Sequence, residues 1–106
     1  MHEWSHQLVV QFPDEAFGDF DGVVAFGDAL ERALGDDHEV DGHDIGLGEV
    51  NYFVLTRDPG TALSSIVDAL GDVLSKRAAR VGTRAFTADA YDCVWPVGDT
   101  RPFVVR

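Results

Sequence analysis

Five residues near the middle of the chain carry side chains able to do chemistry: His43, Asp44, Glu49, Asn51 and Arg57. An imidazole, two carboxylates, an amide and a guanidinium suffice for general acid-base work, provided they come within hydrogen-bond reach of one another. Glu49, Asn51 and Arg57 share a parity with Phe53 and Leu55, so a strand through them places all five on one face, with His43 arriving from the adjoining strand. The competing account is a polar strand end in which Glu49 and Asn51 satisfy turn amides beside Gly46 and Gly48. No spacing here matches a catalytic signature, and no catalytic residue is assigned. His2 with His6, and His38, Asp41, His43 and Asp44 around Gly42, are proper ligand types without zinc or calcium spacing, so neither a metal nor another cofactor is expected. Gly46-Leu47-Gly48 lacks the further glycines, the following helix and the local Lys of a phosphate loop. Cys93 follows Asp92, and an adjacent negative charge is a poor setting for a reactive thiolate, so a structural thiol is expected.

The elements that must position these residues are legible from periodicity. His6 to Phe12 alternates as a strand with Leu8, Val10 and Phe12 on one face, and Pro13 ends it. Asp19 is placed to cap a helix carrying Phe20, Val23, Gly27, Leu30 and Leu34 at helical spacing, stopped by Gly35. Gly22 and Gly27 inside it each cost about 1 kcal/mol against Ala, so packing must hold this helix, and Gly27 marks a close approach to the sheet. His38 to Gly46 reads as a short, polar strand near an edge. Val40 and Ile45 have opposite parity there, which a bulge near Gly42 reconciles. Gly46-Leu47-Gly48 turns the chain into Glu49 to Arg57, apolar on both faces at Tyr52-Phe53-Val54-Leu55, as a strand covered from both sides is.

Asp58-Pro59 is a helix start, with a capping carboxylate before a proline at the first helical position. Leu63, Ile66, Leu70, Val73 and Leu74 form the buried stripe of this second helix; Lys76, Arg77 and Arg80 suit the dipole at its end, and Gly82 is expected to close it. Arg84 to Ala88 reads as a strand, Asp89-Ala90 as a turn, Tyr91 to Pro96 as a further strand, and Phe103 to Arg106 as a short closing strand. The order predicts one α+β domain over 1–106, a ferredoxin-like βαββαβ sandwich with two helices on one face of an antiparallel sheet and a possible extra C-terminal strand. The other face would then be apolar. Tyr52, Phe53, Val54, Leu55 and Trp95 become interface candidates, covered by the C-terminal segment with Trp95 and Phe103 or by a second copy in a homodimer.

The run from Asp41 to Phe53, with Gly46-Leu47-Gly48-Glu49-Val50-Asn51 at its centre, then Thr56-Arg57-Asp58-Pro59 and Val94-Trp95-Pro96, resembles a group of small bacterial proteins of unassigned function. The resemblance covers mainly the middle third of the chain. It implies a ferredoxin-like domain, and some similar small acidic domains look like immunity proteins of toxin systems. It brings no catalytic residues with it.

Charge narrows the class of partner. The net charge is −11, and thirteen of the 19 acidic residues stand before Arg57, against Arg32 alone. Such a field repels nucleic-acid phosphates and anionic lipid and attracts a basic protein. No apolar run approaches the roughly 20 residues of a membrane helix, and there is no basic leader, so a cytoplasmic protein is expected. The leading expectation is an acidic interaction module, immunity-like, binding a basic partner through an acidic half that includes Glu39, Asp41, Asp44 and Glu49. The alternative is a small ligand-binding protein or enzyme with a site around His43, Glu49, Asn51 and Arg57.

Overall fold

In the computed structural model, which describes residues 3–105, the alternating segment His6–Pro13 forms β1. It is followed by α1 (Phe20–Leu34), β2 (Glu39–Gly46), β3 (Glu49–Thr56), α2 (Pro59–Lys76), β4 (Arg80–Ala85) and β5 (Asp92–Trp95). The five strands make one sheet in the order β2-β3-β1-β4-β5, every neighbouring pair antiparallel. The fold is a mixed α+β domain. His2, half of one metal pair considered above, lies outside the described residues.

The start signals act as their chemistry requires. Asp19 accepts from the Gly22 amide at 2.9 Å and caps α1. Asp58 accepts from the Thr61 hydroxyl at 2.7 Å and the Thr61 amide at 3.1 Å, and these bonds hold its carboxyl below the usual range. The pairing of β2 with β3 shifts register between Val40 and Gly42, which is the expected bulge. Leu47 and Gly48 both have positive φ, the geometry of a two-residue hairpin turn.

One core forms where Leu8, Val10 and Phe12 of β1 and Val50, Tyr52 and Val54 of β3 meet the buried residues of both helices. Phe12, Phe17, Phe26 and Tyr52 pack ring against ring, Phe12 edge-on to Phe26 at 4.8 Å between centroids. Two details of the stripes differ from expectation. Phe26, not Phe20, is the buried aromatic of α1, and Ala62 joins Ile66 and Leu74 as a fully buried residue of α2. Gly27 sits over the Tyr52 ring, where an added Cβ would lie 3.5 Å from Cε1.

The end of α2 is a clear correction. The helix stops at Lys76, not near Gly82, and Arg80 belongs to β4. Ala78 takes the left-handed conformation (φ 56°), while the Ala79 amide reaches back to the Leu74 carbonyl and the Ala78 amide to that of Ser75. This is the helix ending that glycine normally supplies, built here without one. Gly82 serves another purpose. It lies on β4 beneath the ring of Phe103, so close that a Cβ would fall 2.4 Å from Cδ1.

Phe103, buried and bridged to Tyr91, thus closes the second face of the sheet over β1 and β4. Gln11 donates to the Val104 carbonyl at 2.8 Å, and the Tyr91 hydroxyl donates to Gln7. Val9, which points to this face, is fully buried. The C-terminal segment, expected as a closing strand, makes a single bridge instead of a ladder. Gly82→Ala is expected to cost about 1–3 kcal/mol in urea unfolding by overpacking. Most of that cost should vanish when Phe103 is already Ala, which a double-mutant cycle would register.

Candidate functional site

Strand pairing decides which of the five chemically capable residues meet. His43 stands opposite Tyr52, on the face that carries the helices, with ring centroids 5.8 Å apart, and the Phe20 ring centroid lies 6.1 Å from it. Asp44 stands opposite Asn51 on the second face. Glu49, at the start of β3, shares that second face with Asn51, while Arg57 is exposed beyond the last residue of β3. An imidazole on one side of the sheet and a carboxylate and amide on the other do not form an acid-base site. Glu49 and Asn51 share a face as their parity requires, and the bulge after Val40 turns His43 the other way.

Asn51 is buried and accepts from Gln11 Nε2 at 3.0 Å, so its amide ties β3 to β1 and, through Gln11, to the C-terminal segment. Glu49 lines a cleft of about 330 Å³ with Gln11, Arg80 and Arg101, and its buried Oε1 has no hydrogen-bond partner. His38 is also buried, its Nδ1 2.8 Å from the Thr56 hydroxyl, which in turn accepts from the Asp58 amide at 2.9 Å. That residue links the second helix start to the sheet. Among the described residues no three His, Cys, Asp or Glu side chains group closely enough to hold a metal ion.

The interface candidates separate as well. Tyr52 and Val54 lie inside the core and are not available to a partner, whereas Phe53 and Leu55 are half-buried on the second face. Trp95 is half-buried and packs towards α2 beside Val67 and Val73.

A site that the motifs did not announce is the margin formed by α1 and β2. β3 is the one paired neighbour of β2 among the described residues, and seven of the eight β2 residues are exposed, Val40 being half-buried. Asp28 and Glu31 on α1, Asp36 and Asp37 after it, and Glu39, Asp41 and Asp44 on β2 are all exposed along this margin. Among the described residues both ion pairs belong to Asp99, so none of these acids is neutralised by one. Between α1 and β2 runs a groove made of two adjoining hollows of about 340 and 230 Å³, which share Glu31 and Val40. Val24 and the half-buried Val40 are its accessible apolar side chains, set between Asp28, Glu31, Asp36 and Glu39, while Leu34 and Tyr52, which also line it, are buried.

Two cations, Arg80 and Arg101, are engaged away from this margin. Asp99 accepts from Arg101 Nη2 at 2.6 Å, from the Arg101 amide at 3.0 Å and from Arg80 Nε at 3.0 Å, which hold its carboxyl well below the usual carboxylate range. Arg80 also donates to the carbonyls of Arg101 and Pro102 and lies over the Phe103 ring at 5.4 Å. Arg80, one of the cations grouped near the end of α2 in the sequence, is therefore committed to fastening the C-terminal segment, whereas Arg77 donates to the Ala16 carbonyl and lies over the Phe17 ring. Acid dominates the free margin.

The chain matches no family model, no curated protein and no solved structure. No helix among the described residues is long and apolar enough to cross a membrane.

The Tyr52 hydroxyl donates to the Val23 carbonyl at 2.5 Å and holds the groove together from below. Burial pushes its phenol up to about 12. An unfolded chain releases that proton near pH 10, so the stabilisation is complete below about pH 10 and declines as pH rises towards about 12. Tyr52→Phe is expected to lose roughly 1 kcal/mol at neutral pH. It should also show a shallower decline between about pH 10 and 12 than the parent chain, as read from urea midpoints across that range.

Proposed function

We propose that this chain is an acidic protein-interaction module of ferredoxin-like architecture, which docks a basic protein partner on its α1–β2 margin in the manner of an immunity protein. The strand order β2-β3-β1-β4, with both helices contributing to one core, supports the ferredoxin-like reading, β5 being an addition at the far edge. One observation carries the function: seven exposed acids, none of them in an ion pair, lie along the margin where α1 meets the open sheet edge of β2, and Asp28, Glu31, Asp36 and Glu39 among them line the groove between the two. Acids spread only for solubility would not need to gather on one margin or to frame apolar side chains. The setting is the cytoplasm, consistent with a lone Cys93 whose thiol hydrogen-bonds the Trp95 carbonyl.

Association with a basic protein should weaken by about tenfold or more between 0.05 and 0.5 M salt, because exposed charges are screened beyond a few Å at high ionic strength. Replacing Glu39, Asp41 and Asp44 together with Lys should abolish it, while reversing the exposed Asp68 and Asp72 on α2 should leave it within about twofold. Titration calorimetry on the three proteins checks this. Binding indifferent to salt and to the triple reversal would sink the proposal.

A second reading, a small-ligand site, has one observation in its favour: the unpartnered Oε1 of Glu49 in the cleft beside Arg101. An amine-bearing ligand would place its ammonium on Glu49. Such ligands should then raise the melting temperature of the parent chain and not of Glu49→Gln; a flat response across a panel of amino acids removes this reading.

A further inference from the structure

The acidic margin is also an unfinished sheet. Alternate backbone N–H and C=O groups of an edge strand point away from its one neighbour and can pair with an added strand. We propose that the outer edge of β2 takes up an extended segment of the partner as a sixth strand, in which apolar residues alternate with Lys or Arg. This rests on the interaction reading above and specifies how the partner is held.

The alternation follows from which side chains flank the edge on each face. On the helix side an added strand would lie beside Val40, His43 and Ile45 and against the outward residues of α1. There Ile45 is 48 % exposed, Val24 41 % and Phe20 60 %, and Leu47 at the hairpin tip is 74 % exposed. Four of the seven large exposed apolar residues among those described therefore border this one edge. On the other side it would lie beside Glu39 and Asp44, which share the second face with Leu55 and Asn51. Side chains alternate along a strand, so a segment that satisfies both faces is apolar on one parity and basic on the other.

Acids and a bulge are also the ordinary means of keeping an edge unpaired. A merely guarded edge, however, has no use for Phe20, Val24, Ile45 and Leu47 beside it. Leu47 in addition holds a left-handed conformation at the turn, a position where Asn or Gly would be unstrained. A second copy of the chain is the wrong occupant. Pairing β2 with β2 of another copy sets Glu39, Asp41 and Asp44 against the same acids, in a chain of net charge −11. The regular part of the edge, after the bulge, is Gly42 to Gly46, long enough for a segment of about five residues.

The test uses the intact chain and a labelled peptide, Lys-Val-Lys-Phe-Arg-Val-Lys, with two isomers N-methylated on its even or on its odd amides. In a docked strand only one set of amides faces β2. One isomer is expected to lose about tenfold or more in affinity by fluorescence anisotropy while the other stays within about twofold. Alternate amides in 42–46 should gain hydrogen-exchange protection on binding. Salt-sensitive binding of all three peptides with equal affinity, or equal loss in both isomers without protection at 42–46, overturns strand addition and leaves the acidic docking reading standing. Failure of these peptides to bind, when a helical basic peptide of equal charge does bind, has the same meaning. Failure of the extended and the helical peptides alike overturns both.

Discussion

β1 is buried on both of its faces, and that constraint organises the molecule. Leu8, Val10 and Phe12 on one side and Val9 and Gln11 on the other are all removed from solvent. A strand of this kind needs two covers. The helices supply the first through the core they share with β3. The second comes from the C-terminal segment, whose Phe103 ring reaches the backbone of β4 because residue 82 has no side chain. Asp99, Arg80 and Arg101 fasten that segment at one end, and Gln11 and Tyr91 hold it across the sheet.

Covering β1 in this way has a consequence at the other side of the sheet. The C-terminal segment closes the face over β1 and β4, and β5 extends the sheet beyond β4 to a second edge, beside which Tyr91 bridges Phe103; the edge at β2 is the longer of the two and carries the acids. Its acids, its free backbone groups and the apolar residues around it are not separate features. They meet on one margin because α1 packs beside β2 at that edge of the sheet, while Arg80 and Arg101 are engaged about Asp99. The charge asymmetry along the chain thereby becomes an asymmetry in space.

Within the central pair of strands, polar side chains serve the covers more than they serve chemistry. Asn51, prominent in the sequence as a member of a possible site, receives a hydrogen bond from Gln11 and is closed off from solvent. His38 and Thr56 close the end of β3 against the start of α2. Buried polar groups require partners, and here each finds one across strands or at a helix cap. Glu49 is the exception, with one oxygen unpartnered at the mouth of a cleft.

Much of this was legible in the chain itself. The caps at Asp19 and Asp58, the bulge between Val40 and Gly42, the turn at Leu47-Gly48 and the inner faces of β1 and β3 depend on neighbours in sequence, through period, parity and local hydrogen bonding. The acidity of the first half and the polar, marginal nature of β2 were equally plain. What sequence could not decide was anything set by residues far apart along the chain. Gly82 looked like a helix stop because nothing nearby reveals that Phe103 will lie upon it. Ala78 ended the helix in a conformation that its type does not favour, so no local signal marked the true boundary. His43 is a different case: the bulge legible near Gly42 already sends its ring to the face opposite Glu49, and grouping the two overlooked that added residue. The gathering of acids and apolar side chains at one open edge was decided by tertiary structure alone, because α1 and β2 become neighbours only when both have packed on the strands between the termini.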